Sequence, residues 1–533
     1  MQMSMPTLYK RGSIDRMVLR KKSTPKHSSS DSTDSIPPSF LSSSPPTSYI
    51  AAVCKNTTQI FKLQKSSLSF SLPSPSLLRL SQTGIQNQTN SACFSDLRRA
   101  RVVIPSNINT DSTMAHNTNI ESQKKIVILG GSYGGVSTAH YLLKHVVPQL
   151  PDTASYRVII VSTSSQAICR PACPRALISD NMFPQEKLFV NISTAFQQYS
   201  ESSFRFIHGT ATELDHTNKT VSISLATGTT QKIDFYALVI ATGTSTPSPL
   251  HGLNRDAEFL RASWTAFRKS LPTAKTIVIA GGGPAGIETA GELGEFLNGR
   301  AGLFSSNLAN PKVRITVVTA GSEILPALRP SIARRAEEYL AKVGVTVVKN
   351  SRVTGVLPHS AGVDDITAKA TLTLEDGKKL DADLYIPATG TTPNTSFIDK
   401  ALLTVDHRVK TNTSTLRVDI AGPRIYAVGD VASYAGPAVH QIFSAVPVLC
   451  ANMKRDLLLA CGKENDSVGK DRVFKEDTRE TQLVPIGKTK GVGAAMGYEL
   501  PSFMVWLIKG RDYWLWTAGG LWNGDKWARE SRG

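Results

Sequence analysis

Two glycine turns, each set between a short apolar strand and a helix, constrain this chain more than any other feature. The first, Gly130-Gly-Ser-Tyr-Gly-Gly135, is entered from Lys125-Ile-Val-Ile-Leu129 and leads into a helical stretch over Val136 to Val147 that ends at Pro148. The second, Gly281-Gly-Gly-Pro-Ala-Gly286, is entered from Thr276-Ile-Val-Ile-Ala280 and leads into a helix through about Leu297. A further apolar strand follows each helix, Tyr156-Arg-Val-Ile-Ile-Val161 and Val313-Arg-Ile-Thr-Val-Val318, closing a βαβ unit. Closely spaced backbone N–H groups at a helix N-terminus are what a dinucleotide pyrophosphate needs, and glycine lets the backbone come near enough. One such turn is weak evidence, because glycines between a strand and a helix also make a plain tight turn. Two of them about 150 residues apart, in the same local order, are strong. Gly281, Gly283 and Gly286 complete G-x-G-x-x-G. In the first turn Gly130 and Gly135 fit, but Ser132 takes the middle place, so its hydroxyl must bond the phosphate or the approach is narrowed.

A third element extends the duplication. Ala237-Leu-Val-Ile-Ala-Thr-Gly243 is a buried strand ending in a glycine turn, and Ala382-Asp-Leu-Tyr-Ile-Pro-Ala-Thr-Gly390 repeats it after the second unit. Residues 204–224 alternate as a hairpin around a polar stretch that includes Asp215-His-Thr-Asn-Lys219. Next comes Arg424-Ile-Tyr-Ala-Val-Gly-Asp430, with a helix expected over about His440 to Leu459. Gly429-Asp430 at a strand end, ahead of a helix, places a carboxylate where it can accept hydrogen bonds from ribose or ribityl hydroxyls. Alone this pair is more often a turn; after two nucleotide turns it marks a flavin site.

With its Ala241-Thr-Gly243, Ala388-Thr-Gly390 and Tyr426-Ala-Val-Gly-Asp430, the ordered set resembles the FAD-dependent pyridine nucleotide oxidoreductase superfamily. The likeness is greatest to the apoptosis-inducing-factor-like group that includes ferroptosis suppressor protein and is related to type II NADH dehydrogenases. It runs from Lys124 to the end of the chain, and Val484-Pro-Ile-Gly-Lys488, Gly491-Val-Gly493 and Leu507-Ile-Lys-Gly-Arg-Asp512 resemble the C-terminal end of that group. The resemblance implies an α/β protein with two Rossmann-type dinucleotide-binding domains, in the glutathione-reductase-like FAD/NAD(P) fold, and a small C-terminal region. The expected division is an FAD-binding domain over 124–262 and 383–460, a NAD(P)H-binding domain over 263–382 and a C-terminal region over 461–533. It also implies that Gly130, Ser132 and Gly135 line the FAD pyrophosphate, with Arg175 beside the cofactor in a Ser-Pro-Arg-like stretch. Thr242 and Gly243 would close the FAD domain, Gly390 its counterpart turn, and Gly429 and Asp430 would hold the flavin side chain. Gly281, Gly283, Gly286 and the acidic Glu288 would serve NAD(P)H, and Lys509 would border the flavin ring, stabilising negative charge on it when reduced. The implied reaction is hydride transfer from NAD(P)H to FAD, then electron delivery to an acceptor, a quinone first among them. A tailoring oxidoreductase of a specialised small metabolite and a non-catalytic signalling protein share the same fold.

Some features depart from that pattern. The acid expected after the second strand of the FAD unit, to bind adenosine ribose, is Ser162. The corresponding position of the second unit is Thr319, followed by Ala320 and Gly321; none repels a 2′-phosphate, and the nearest following arginine is Arg329. Both donors are therefore expected to serve within about tenfold of each other. Cys169-Arg-Pro-Ala-Cys173 has C-x3-C spacing, not the C-x4-C of a disulfide reductase, and its prolines break the helix that would align a dithiol. No glycine follows Met1 or Met114, so a myristoylation signal is lacking. Phe503-Met-Val-Trp-Leu-Ile508 and Tyr513-Trp-Leu-Trp516, with Trp522 and Trp527, form either an interfacial segment that collects a lipid-soluble acceptor or a lid packed on the flavin domain.

At 41% hydrophobic and 19% charged residues the chain is that of a folded globular protein. Of its net charge of +18, residues 1–113 carry fourteen Lys/Arg against five Asp/Glu. That Ser/Pro-rich segment is expected to be a disordered tail, read as a targeting peptide, as an upstream extension of a chain starting at Met114, or as a tail without function of its own. No nucleic-acid motif accompanies the charge, no apolar run of about 18 residues predicts a transmembrane helix, and six cysteines without a C-x2-C pair form no zinc site. The cytoplasm is the expected compartment, with the mitochondrion as the targeted alternative.

Overall fold

A computed structural model describes residues 123–531; the expectations for 1–113 and for Met114 fall outside them. The walk begins with β1 (Lys124–Leu129), α1 (Tyr133–Tyr141) and β2 (Tyr156–Ser162). A meander follows, of β3 (Phe204–Asp215), β4 (Thr220–Leu225) and β5 (Thr230–Asp234), and then β6 (Ala237–Ile240). The second round is β7 (Thr276–Ala280), α2 (Pro284–Asn298), β8 (Arg314–Val318), α3 (Pro330–Ala341) and β9 (Val345–Val348). It continues through β10 (Val353–Leu357), β11 (Ala370–Leu374), β12 (Lys379–Ala382) and β13 (Leu384–Pro387). The chain closes with β14 (Ile425–Ala427), α4 (Val439–Ala460), β15 (Gln482–Ile486), β16 (Lys490–Ala495), β17 (Tyr498–Glu499) and α5 (Leu515–Trp522).

The unbroken apolar runs mark strands with both faces covered. Ile126 to Leu129 and the whole of β6 and β13 are buried, as expected for parallel strands between helical layers. The strands form a seven-stranded sheet in the order β14-β6-β1-β2-β3-β4-β5 and a four-stranded sheet in the order β9-β8-β7-β13. In both, the strand that enters a glycine turn lies centrally, with parallel neighbours: β2 and β6 flank β1, and β8 and β13 flank β7. The strand before Asp430, β14, pairs with β6 in the first sheet although almost 190 residues separate them. This mixed α/β architecture, two doubly flanked nucleotide turns in one chain, is the expected fold class.

Two local departures have physical causes. The first helix does not run α-helically to Val147: it widens after Tyr141 into a π turn over Leu142–Val146 and tightens to a 3-10 turn over Val147–Gln149, where Pro148 has no N–H to donate. The first strand of the hairpin outlasts the alternating segment seen in sequence, reaching Asp215 through a bulge between Ala211 and Glu213.

The C-terminal aromatics are mostly inside. Tyr513, Leu515, Leu521, Trp522 and Trp527 are buried, and the segment is tied to the first helical stretch by three main-chain carbonyls. His140 Nε2 bonds Trp522 O at 2.8 Å, Lys144 Nζ donates to Gly524 O at 2.7 Å, and His145 Nε2 bonds Trp527 O at 2.7 Å. Most of this segment is thus a packed cover, while Phe503, Leu507 and Trp516 stay exposed. Among the described residues no helix is long and apolar enough to cross a membrane.

Candidate functional site

The two glycine turns are built alike to within a few tenths of an ångström. Gly130 and Gly281 have φ of +118° and +127°, and a Cβ on either would lie 2.1 Å from a carbonyl oxygen, that of Ala241 and of Ala388 respectively. These are the Ala-Thr-Gly turns picked out in the sequence, so turn and exit strand lock together in both units. At Gly135 and Gly286 a Cβ would fall 1.8 and 2.1 Å from the carbonyl oxygens of Gly130 and Gly281. The third glycine of each motif therefore lets the helix close onto the strand and does not itself face the ligand space, which corrects the expectation that Gly135 lines it.

Both turns open into one cavity of about 1400 Å³. Single-ligand pockets run to about 300–1,000 Å³, so this one has room for two dinucleotide portions meeting. Gly130, Ser132, Thr242, Gly243, Gly281, Gly283, Glu288, Gly390, Gly429, Asp430 and Lys509 line it, while Gly135, Gly286 and Arg175 do not. A Cβ on Gly283 would meet nothing within 4 Å, so the protein leaves open the space where a pyrophosphate would press. Ser132, at the corresponding place, makes no side-chain cap bond to its helix, which leaves its hydroxyl for a ligand. The residues present thus fit two dinucleotides.

Asp430 faces Arg170, whose guanidinium is 4.0 Å from the carboxylate and donates to Thr244 O and Oγ1 at 3.2 Å each. Burial pushes the Asp430 carboxyl above its ordinary range, and Arg170 opposes that shift. Nothing in the local pattern of Cys169-Arg-Pro-Ala-Cys173 sets Arg170 apart as a cavity residue. His251, which also lines the cavity, was missed as well: burial, then Arg170, pushes it down to about 4, and its Nε2 lies 3.0 Å from Thr289 Oγ1. Because Thr289 Oγ1 donates to Ala285 O, it accepts from His251, which stays neutral at pH 7.

On α2 two carboxylates one turn apart, Glu288 and Glu292, are both buried, and each has its own cation from elsewhere in the chain. Lys509 Nζ is 2.5 Å from Glu288 Oε1 and donates to Leu483 O at 3.0 Å. Arg175 donates to both oxygens of Glu292, at 2.9 and 2.7 Å, and to Gly510 O at 2.7 Å, the residue after Lys509. Arg175 is therefore not at the cavity, as the family likeness implied, but fastens the backbone beside Lys509 to the helix that carries Glu288. Burial, opposed by Lys509, pushes Glu288 up to about 7. Its carboxyl carries a proton below that pH and loses it above. Below about pH 7 Glu288 no longer offsets the charge of Lys509, so flavin reduction by NAD(P)H is expected to quicken as pH falls through 7. Glu288→Gln should flatten the profile; an unchanged inflection in single-turnover traces would place the titrating group elsewhere.

Cys169 and Cys173 are buried free thiols pushed up to about 11 and about 12, chiefly by burial. Cys169 Sγ donates to Tyr513 O at 3.4 Å and accepts from Tyr133 Oη at 3.5 Å. Both behave as packed side chains.

Twin glycine turns share a cavity, with an acidic strand end and a buried Lys–Glu pair on its wall, an arrangement that suits an oxidoreductase coupling a flavin to a nicotinamide. Residues 124–448 match the family model described as pyridine nucleotide-disulphide oxidoreductase, and the chain belongs to that family. Oxidoreductase phnG of Penicillium herquei is 66% identical over 411 residues, spanning 77% of this chain and 98% of that protein. Ferroptosis suppressor protein 1 of Homo sapiens is 24% identical over 76% of this chain and 98% of its own length. Among solved structures, NDH2 from Plasmodium falciparum in complex with NADH has a TM-score of 0.52 at 16% identity, covering 77% of this chain and 99% of that one, a likeness of fold. The cofactors are FAD and NAD(P)H.

Proposed function

We propose that this chain transfers hydride from NAD(P)H to FAD and delivers the electrons to a small quinone-like acceptor. The seven-stranded sheet holds FAD and the four-stranded sheet NAD(P)H, with divisions near residues 262, 382 and 460. When bound, FAD accepts hydride from the nicotinamide and passes electrons on, chemistry that no side chain supplies. Asp430 and Arg170 fix the flavin side chain, and Ser132 with the backbone N–H groups of α1 takes its pyrophosphate. Lys509, held by Glu288 and the Leu483 carbonyl, sets a positive charge beside the ring, and the aromatic cover shields that charge from water.

The observation that carries this reading is the buried Lys509–Glu288 pair lining the cavity between the two nucleotide turns, with 8% and 3% of their side chains exposed. Direct delivery to a small acceptor is supported by the two buried thiols near the site, whose raised pKa values leave no thiolate for a dithiol relay. A specialised metabolite as acceptor draws support from Arg255, which lines the cavity and has no ion-pair partner among the described residues, since an acidic phenol or carboxylate would pair with it.

Anaerobic stopped-flow mixing of the yellow protein with NAD(P)H, then with quinones, is expected to show bleaching followed by reoxidation. Lys509→Ala should keep its flavin yet slow its reduction by NAD(P)H, and with it turnover with quinone. Wild-type speed in both half-reactions would remove Lys509 from the chemistry, and bleaching without reoxidation by any quinone would turn the acceptor reading toward the metabolite.

A further inference from the structure

We propose that Arg352, with the buried hydroxyl of Ser351 beside it, reads the 2′ position of the nicotinamide donor and selects NADPH over NADH. The inference rests on the four-stranded sheet being the NAD(P)H site. In such a unit the adenosine ribose falls over the end of the strand next to the glycine-turn strand. Here that strand is β8, which ends at Val318 just before Thr319, and β9 is its outer neighbour.

The loops after β8 and β9 form one laced floor. Thr319 N donates to Val348 O at 2.9 Å, Ser351 N to Thr319 O at 3.0 Å and Asn350 N to Gly321 O at 3.0 Å. Thr319, Gly321, Glu323, Ser351 and Arg352 all line the cavity. Thr319 itself is tucked under the turn, with its Oγ1 2.6 Å from where a Cβ on Gly282 would stand, so it neither repels nor attracts a phosphate.

Charge decides among the rest. Glu323, the one carboxylate of this group, faces Lys349 Nζ at 3.6 Å, a lysine shared with Glu337 at 3.1 Å. Arg329, the cation nearest along the chain, is spent on Glu480, whose carboxylate takes its Nε at 2.8 Å, and on Gly497 O at 2.6 Å. Arg352 is exposed, and among the described residues its guanidinium has no carboxylate within 4.0 Å and no hydrogen-bond partner. Ser351 is only 7% exposed, and its Oγ also lacks a partner. A free guanidinium fork beside an unspent buried hydroxyl fits a phosphate dianion, which takes paired N–H donors and a hydroxyl at once. A ribose 2′-hydroxyl could bond either but carries no charge, so it would gain less from the guanidinium. Thr319 read alone implied use of the two donors within about tenfold; Arg352, which would widen that gap, lies in the loop after β9, 33 residues further on.

The test is calorimetry on the FAD-loaded protein with 2′,5′-ADP and with 5′-ADP, which need no turnover. The expected result is that 2′,5′-ADP binds about 10- to 100-fold tighter, the range that one or two charge-assisted bonds supply. Arg352→Gln should remove that advantage without weakening 5′-ADP, and Ser351→Ala should remove part of it. The NADPH/NADH ratio of kcat/KM should fall in step, with flavin absorbance unchanged as the check on folding. Equal binding of the two nucleotides by the wild type, or an Arg352→Gln loss shared by both, would overturn the proposal. Failure of both nucleotides to bind would instead overturn the assignment of the four-stranded sheet as the NAD(P)H site, and the proposal with it.

Discussion

Arg175→Met is expected to cost about 3–5 kcal/mol of folding stability, far more than a typical substitution, because it strands a buried charge. The side chains of Arg175 and Glu292 are only 7% and 4% exposed, and the guanidinium makes two bonds to the carboxylate and others to Gly510 O and to Gly487 O at 3.2 Å. It also stacks over Tyr513 at 4.8 Å. Without the cation, Glu292 would keep only the hydroxyl of Tyr513, at 3.0 Å. Three carbonyls of the C-terminal region, those of Gly487, Gly510 and Arg511, would lose this donor as well. The double variant Arg175→Met/Glu292→Leu should recover much of the loss, since it removes both charges and refills the space with apolar atoms. Urea unfolding followed by tryptophan fluorescence would measure both. A single-variant loss under about 1 kcal/mol would mean that the pair is hydrated and does not tie the C-terminal region to α2. Flavin content per folded chain should stay near wild type, because Arg175 lies off the cavity wall.

Asp430→Ala should have the opposite profile, a folded protein that loses FAD. The carboxylate lines the cavity just beyond β14, whose residues are all buried, and Arg170 holds it from the other side. Removing the acceptor of flavin hydroxyls costs about 1–3 kcal/mol of binding, or roughly 5- to 150-fold in affinity. It also leaves Arg170 without its carboxylate. The expected outcome is a colourless protein after gel filtration that unfolds close to the wild-type apoprotein, with Asp430→Asn retaining part of the flavin because its amide oxygen still accepts. Full flavin absorbance after Asp430→Ala would reject this role.

The backbone plan was legible because it is written in local patterns. Apolar runs bounded by glycine turns at Gly130 and Gly281, and the Ala-Thr-Gly turns that close over them, depend on residues within a few positions of one another, and only glycine tolerates the 2.1 Å approach to Ala241 and Ala388. The end of the first helix was less legible: a run of helix-compatible residues did not reveal that hydrogen bonding widens before Pro148. Sequence also pointed at several cavity residues by family likeness, and the structure brings Ser132, Glu288, Asp430 and Lys509 to one space.

By itself, then, the sequence determined the alternation of strands, turns and helices, the duplication, and so the α/β class, since these follow from periodicity and from backbone conformations available to single residue types. Tertiary structure alone decided which charge meets which. Glu288 and Lys509 are 221 positions apart, Arg175 and Glu292 are 117, and nothing local distinguishes Glu288 from Glu292, which share one helix face. It also decided that Arg175 leaves the cavity while Arg170, five residues earlier, stays in it, and that Arg352 rather than Arg329 remains free. Long charged side chains can reach several partners from one backbone position. Which partner they take depends on burial and competition among groups brought together from distant parts of the chain, and no local pattern records that.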